Sequence, residues 1–170
     1  MDLFSPLELG ALRLRNRVVM APMTRSRATV DAVPTPVLAE YYRQRAGAGL
    51  IITEGIAPSA DGLGYCRTPG IYDAAQVEAW RRVTDAVRAE GGSIVAQIMH
   101  VGRVACHLNK PAGARTVAPS ALQAAGTMFT DQQGMQPLDE PHALTLDEIA
   151  AVIEDYRRAT ANALEAGFDG

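Results

Sequence analysis

Three segments of this 170-residue sequence carry side chains suited to chemistry, and each follows a short apolar run. Ala21–Pro22–Met23–Thr24–Arg25 follows Val18–Val19–Met20. Thr53–Glu54–Gly55 follows Leu50–Ile51–Ile52. Gln97–Ile98–Met99–His100–Val101–Gly102–Arg103 follows Ile94–Val95–Ala96. Polar groups at the ends of parallel strands are where α/β barrels present catalytic or cofactor contacts. Most of these residues also have a plainer reading. Thr24 alone suits a turn or cap, Gln97 suits satisfying backbone groups inside a sheet, and Glu54 suits a strand end that holds neighbouring loops. Tyr65 suits a loop anchor, His100 a structural role, and Arg25 and Arg27 ion pairs within their loop. Cys66 suits a bystander thiol, and His107 and His142 suit solvated loop positions.

The elements that must position these segments follow from the pattern around them. Leu7, Leu9, Leu12 and Leu14 flank a turn at Gly10–Ala11 and suggest a small hairpin. A strand over residues 17–21 stops at Pro22. Thr35–Pro36 pairs an N-cap residue with a proline at the first helical position, predicting a helix to about Arg45 that Gly47 and Gly49 end. A second strand covers residues 49–54. Asp73 and Gln76 have capping-box spacing, and Val77, Trp80, Val83 and Val87 recur at helical intervals up to Gly91–Gly92. Trp80 falls on the apolar, core-facing side of that helix. Residues 94–98 form a third strand. A proline- and glycine-rich stretch over 102–141 reads as a long loop that covers the site or forms an interface. Thr145 and Glu148 form another capping box before a helix to about Ala166, and Gly167 is its C-cap. Phe168–Asp169–Gly170 would open a fourth strand. Strands without alternation, separated by helices, imply a parallel sheet covered by helices. The fold class is therefore α/β. The long loops after strands fit an active face at the strand C-termini, and the missing G-x-G-x-x-G after the first strand weakens a dinucleotide-binding reading.

Composition narrows the function classes. Hydrophobic residues make up 48% and charged residues 21%, the balance of a globular protein rather than a disordered or membrane-spanning one. Sixteen Lys and Arg against 19 Asp and Glu give a net charge of −3, which argues against a nucleic-acid partner. The longest apolar runs are too short to cross a bilayer, so no membrane partner is expected. Cys66 and Cys106 lie far apart with no C-x-x-C spacing, so no metal site is expected, and such cysteine usage fits a reducing, cytoplasmic setting. The first ten residues lack the apolar run of a signal peptide.

Taken together, these runs resemble the Old Yellow Enzyme family of FMN-dependent ene-reductases. The matching pieces are residues 14–17, the Ala-Pro-Met-Thr-Arg run, Glu40–Tyr41–Tyr42, Ile52–Thr53–Glu54–Gly55, Gly64–Tyr65, Pro69–Gly70, Trp80, residues 97–103, Ala118–Pro119–Ser120 and residues 166–170. The resemblance runs the length of the chain in order. It implies that residues 1–170 are the N-terminal half of a single FMN-binding (β/α)8 TIM barrel with a short N-terminal hairpin. It implies FMN contacts from Ala21, Pro22, Met23, Thr24, Gly55 and Gln97. Pro22 and Met23 resemble a backbone wall against the isoalloxazine ring, and Thr24 a hydroxyl donating to flavin O4. Gly55 resembles the small residue beside the ring, and Gln97 an amide on the pyrimidine edge. Tyr65 and Met99 would line the substrate cavity; Met99 stands where related enzymes often carry Trp. Threonine at position 24 sorts the chain away from the branch with cysteine there.

By resemblance, NAD(P)H reduces FMN, which passes hydride to the β-carbon of an alkene activated by a carbonyl or nitro group. The family's substrate-anchoring His and His or Asn, its proton-donating Tyr and its phosphate-binding groups follow the fourth strand, beyond Gly170. No catalytic residue is therefore assigned within the chain, and the C-terminal half of the barrel is an expected partner. Homo-oligomer formation, NADH against NADPH and the alkene itself stay open. Two other readings stand beside this one: a longer flavin and iron–sulfur enzyme of the dienoyl-CoA reductase type, and a non-catalytic half barrel serving as an assembly subunit.

Overall fold

The computed structural model describes residues 2–170. Its centre is a parallel sheet of three strands in the order β3–β4–β5, where β3 is Val19–Met20, β4 is Leu50–Ile56 and β5 is Ile94–Ile98. Ahead of it, β1 (Leu7–Leu9) and β2 (Leu12–Leu14) form an antiparallel hairpin. Gly10 turns that hairpin at φ 58°, a left-handed conformation that glycine adopts without Cβ strain. Helix α1 (Pro36–Arg43) connects β3 to β4, α2 (Ala74–Ala89) connects β4 to β5, and α3 (Leu146–Glu165) follows the long 102–141 stretch.

The first strand is shorter than the predicted 17–21. Only Val19 and Met20 pair, with Leu50 and Ile51, because Asn16 takes the Val18 N–H on its side chain. Helix α1 ends at Arg43 rather than Arg45. Thr35 makes no side-chain cap; its hydroxyl donates to the Arg27 carbonyl at 2.7 Å and so ties the loop after β3 to the start of α1.

The 73–76 capping box is only half made. Asp73 accepts the Gln76 N–H at 2.9 Å, but the Gln76 side chain accepts from Tyr72 N–H and donates to the Asp31 carbonyl. Burial of Gln76 beneath the loop explains that choice: its amide serves two loop backbones rather than one helix end. The Thr145–Glu148 box is complete.

The core lies between the sheet and its helices. Leu38 and Tyr42 of α1, Val77, Trp80, Val83 and Val87 of α2, and Ala159 and Ala163 of α3 close over Ile51, Ile56 and Ile94. Trp80 is wholly buried, 6.2 Å from the Tyr42 ring and 5.4 Å from Phe168, and its indole N–H donates to the Gly70 carbonyl at 3.0 Å. Burying such a ring contributes about 3 kcal/mol, and the hydrogen bond removes the penalty on its N–H. Past α3 the chain runs beside β5: Asp169 N–H donates to the Ile94 carbonyl, and Ala96 N–H to the Gly170 carbonyl, both at 2.9 Å. This is the opening of the fourth strand that residues 168–170 predicted.

The 102–141 stretch is not a bare loop. It contains β6 (Val117–Ala118) and the hairpin of β7 (Thr127–Thr130) with β8 (Gly134–Pro137); β6 pairs in parallel with β9 (His142–Ala143). Polar alternation in strands of two to four residues is too brief to be read from sequence.

Candidate functional site

Sheet register gathers the predicted residues at one end of the strands. Gly55 lies opposite Gln97 across β4–β5. Between Ile52 and Gly55 the register shifts, an irregularity of the kind that re-aims side chains next to active sites. Its local cause is Thr53, whose hydroxyl donates to the Glu54 carbonyl and accepts the Gln97 N–H at 3.0 Å, replacing a ladder bond.

Glu54 joins the third segment to these two. Its carboxylate accepts the Arg25 N–H at 3.0 Å, pinning the backbone that follows Thr24 to the end of β4. The side chain is only 1% exposed, and burial raises its carboxyl above the usual carboxylate range, against the opposing pull of the Arg25 N–H and the Tyr42 hydroxyl. The Arg25 guanidinium lies 4.7 Å from the centroid of the Tyr41 ring, which Arg45 also caps at 3.8 Å. Arg25 is therefore held by a ring rather than by the expected ion pair, and Arg27 donates to the carbonyls of Arg25 and Ser26. Ser26 sits at φ 51° and Arg67 at φ 52°, unusual for residues with a Cβ; the loops carrying them are joined by Ala28 N–H to the Arg67 carbonyl at 3.0 Å. Strain of this kind costs about 1–3 kcal/mol per residue and persists where the surroundings over-determine the backbone.

The segment 21–25 is solvent-exposed, with Met23 at 44%. Among the described residues, neither the Thr24 hydroxyl nor the Gln97 side-chain amide makes a hydrogen bond within the chain. Met99 N–H donates to the Ile56 carbonyl, and the Met99 side chain lies over Gly55, where a Cβ would collide with its Sδ and Cε. Tyr65 stands on the loop after β4, 39% exposed, its carbonyl held by the Thr68 hydroxyl. No hydrogen bond joins it to the strand-end group among the described residues. Cavities of about 400 Å³ lie elsewhere, both touching Tyr72 and Asn162: one between α3 and residues 58–60, the other between α2 and α3.

The histidines divide. His100 accepts the Gly102 N–H on Nδ1, which leaves the proton on Nε2, and burial lowers its pKa. Its Nε2 is buried with no hydrogen-bond partner among the described residues, and Arg103 pairs instead with the Leu122 carbonyl and the Ser120 hydroxyl. His107 and His142 are not merely solvated: they pair with Asp139 at 2.9 Å and with Glu148 at 3.0 Å. Sequence reasoning missed Tyr42 and Thr53 as positioning residues. The available signal was a buried Glu54, which needs donors, beside a helix whose apolar face, with Leu38 four residues before, carries a tyrosine.

The family model for "NADH:flavin oxidoreductase / NADH oxidase family" matches residues 2–170. The chain belongs to that family. Among relatives of this flavin oxidoreductase family, "12-oxophytodienoate reductase 7" of Oryza sativa subsp. japonica is 43% identical over 99% of this chain and 43% of its own length. A "probable flavin mononucleotide-dependent alkene reductase" of Leishmania infantum is 41% identical over 99% of this chain and 47% of its own. The solved structure of the old yellow enzyme homologue from Zymomonas mobilis superposes with a TM-score of 0.94 at 50% identity. It covers 100% of this chain, which in turn covers 47% of it. Morphinone reductase in complex with tetrahydroNAD gives 0.91 at 48% identity, with 99% and 48% covered. The chain thus spans about half the length of the relatives it matches, and its fold is that of the N-terminal part of their TIM barrel.

The strand-end groups fit a flavin. Among the described residues the Thr24 hydroxyl and the donor and acceptor of the Gln97 amide have no hydrogen-bond partner, and residues 21–23 are exposed. These are the polar handles a heteroaromatic ring with a hydrogen-bonding edge requires.

Proposed function

We propose that this chain is the FMN-contacting N-terminal half of an NAD(P)H-dependent ene-reductase, acting on alkenes activated by a carbonyl or nitro group. The observation that carries the proposal is that, in a chain of this flavin family, the Thr24 hydroxyl, in the segment after β3, and the Gln97 amide, on β5, lie toward the same end of the parallel sheet with no hydrogen bond among the described residues. When bound and reduced by NAD(P)H, FMN supplies a hydride to the alkene β-carbon. The chain's own residues do the rest by position. Thr24 donates a hydrogen bond to the pyrimidine side of the ring, where reduction builds negative charge. Gln97 would hold the pyrimidine edge through the N–H donor and carbonyl acceptor of its amide. Ala21, Pro22 and Met23 wall the ring with backbone, and Gly55 leaves room beside it. Tyr65 and Met99 shape the alkene cavity. Glu54 and Tyr42 are positioning residues that hold the backbone after Thr24.

The substrate-anchoring pair, the proton donor and the phosphate grip are assigned to the C-terminal half of the barrel. We place the protein in the cytoplasm, on its cysteine usage. Among the described residues no helix is long and apolar enough to cross a membrane. The test is to produce the chain together with the remainder of its barrel, measure the flavin spectrum after gel filtration, and follow NAD(P)H oxidation with 2-cyclohexenone. Retained FMN and alkene-dependent turnover are expected. Flavin retention without alkene reduction would remove the ene-reductase reading, and failure to retain FMN would remove the flavin one.

A further inference from the structure

Outside the strand ends, one cluster brings three metal-binding side chains together. Cys106 and His107 lie at the start of the 3-10 turn over residues 107–109, and Asp139 arrives from 32 residues downstream. Their ligand atoms all fall within 4.8 Å of one another. His107 Nδ1 and Asp139 Oδ1 are 2.9 Å apart. Ligands on a tetrahedral zinc at about 2.0–2.1 Å sit roughly 3.3 Å apart, so this pair needs to open by only a few tenths of an ångström.

The surroundings are those of a held site. Asp139 N–H donates to the Ala105 carbonyl at 2.9 Å, locking the two backbone segments side by side. Thr116 Oγ1 donates to the other carboxylate oxygen, Asp139 Oδ2, at 2.6 Å, which orients Oδ1 toward the histidine. Cys106 is 1% exposed among Met128 and Leu138, whereas the His107 side chain is 70% exposed. One flank is therefore dry and fixed, and the other is open to water for a fourth ligand.

From this arrangement the geometry points to a Zn²⁺ site formed by Cys106 Sγ, His107 Nδ1 and Asp139 Oδ1, with water in the fourth position. A thiolate with an imidazole selects zinc-class ions over magnesium or calcium. Binding displaces the thiol proton of Cys106 and leaves the ring proton of His107 on Nε2. The ion clamps the turn whose Asn109 side chain holds the carbonyls of Gly64 and Phe129, beside Tyr65. The absence of C-x-x-C spacing hid the site, because its third ligand is contributed by tertiary contact.

The test is titration of the metal-free protein with Co²⁺, followed by absorbance, and with Zn²⁺, followed by calorimetry. One equivalent is expected to bind, with a near-ultraviolet cobalt–thiolate band and tetrahedral visible bands. Cys106→Ala should abolish the thiolate band, and Asp139→Asn and His107→Ala should each weaken binding about 10-fold or more. The exposed ring of His107 makes its variant the safe one for folding, and circular dichroism checks the other two. Cys66→Ser should leave the band intact. Lack of a thiolate band, a band that follows Cys66, or affinity unchanged in His107→Ala and Asp139→Asn would each overturn the site.

Discussion

The Tyr42 hydroxyl and Glu54 are joined twice: the hydroxyl accepts the Glu54 N–H at 2.9 Å and lies 3.5 Å from Glu54 Oε1. The contact links α1 to the end of β4, and through the Glu54 carboxylate it reaches the Arg25 backbone next to Thr24. Tyr42→Phe keeps the ring in the core but leaves a buried N–H and a buried carboxylate short of a partner. A loss of about 1–3 kcal/mol is expected, read from urea unfolding. A loss within error would mean that neither group depends on the hydroxyl.

Glu54 also sets a pH dependence. Burial raises its carboxyl in the folded state above the ordinary value of 4.5. The stability associated with the protonated form is thus fully present below about 4.5 and is lost as pH rises through the raised value. Glu54→Gln cannot ionise, so its urea midpoint should fall less than that of the parent as pH rises from about 4.5. Parallel pH profiles for the two proteins would remove Glu54 as the source.

On the proposed reading, Thr24→Ala deletes a donor to the negatively charged reduced ring. One hydrogen bond of about 1 kcal/mol corresponds to roughly 20 mV for a two-electron couple. The FMN midpoint potential of the complete barrel should therefore fall by about that amount, and flavin reduction by NAD(P)H should slow. An unchanged midpoint removes Thr24 from the site.

Gly55 and Met99 should behave as one unit. A Cβ at Gly55 meets Cε and Sδ of Met99, the far end of a flexible side chain that can turn aside, so the overpacking cost is at the low end, about 1 kcal/mol. Gly55→Ala should lower stability and FMN retention together. Met99→Ala in the same protein should restore stability but leave FMN retention low if the Cβ also meets the ring. Recovery of both would limit Gly55 to accommodating Met99.

The box at the start of α3 offers a cleaner stability test. Thr145→Ala should cost about 1 kcal/mol. Hydrogen bonds from Thr145, His142 and Arg115 hold the Glu148 carboxyl down to about 2. Its contribution is fully present above about 4.5 and is lost as pH falls through about 2. Glu148→Gln should therefore lower the melting temperature at neutral pH, and the difference from the parent should shrink in strong acid. A constant difference would contradict the linkage.

The sequence by itself determined the order of strands and helices around the sheet, the burial of Trp80, and the three strand ends that carry Thr24, Gly55 and Gln97. These are local matters: apolar period, capping residues and glycine stops act within a few residues. It also carried the family resemblance, because the motifs are contiguous and ordered. Tertiary structure decided the rest. Thr53 replaces a ladder bond to Gln97 because β4 and β5 pair with an irregular register. Tyr42 meets Glu54 because α1 packs over β4. Asp139 reaches Cys106 and His107 because Asp139 N–H pairs with the Ala105 carbonyl, and Thr35 abandons its cap for Arg27. In each case a polar group takes whichever partner the packed chain brings within reach. Distant partners of that kind leave no periodic trace in the sequence.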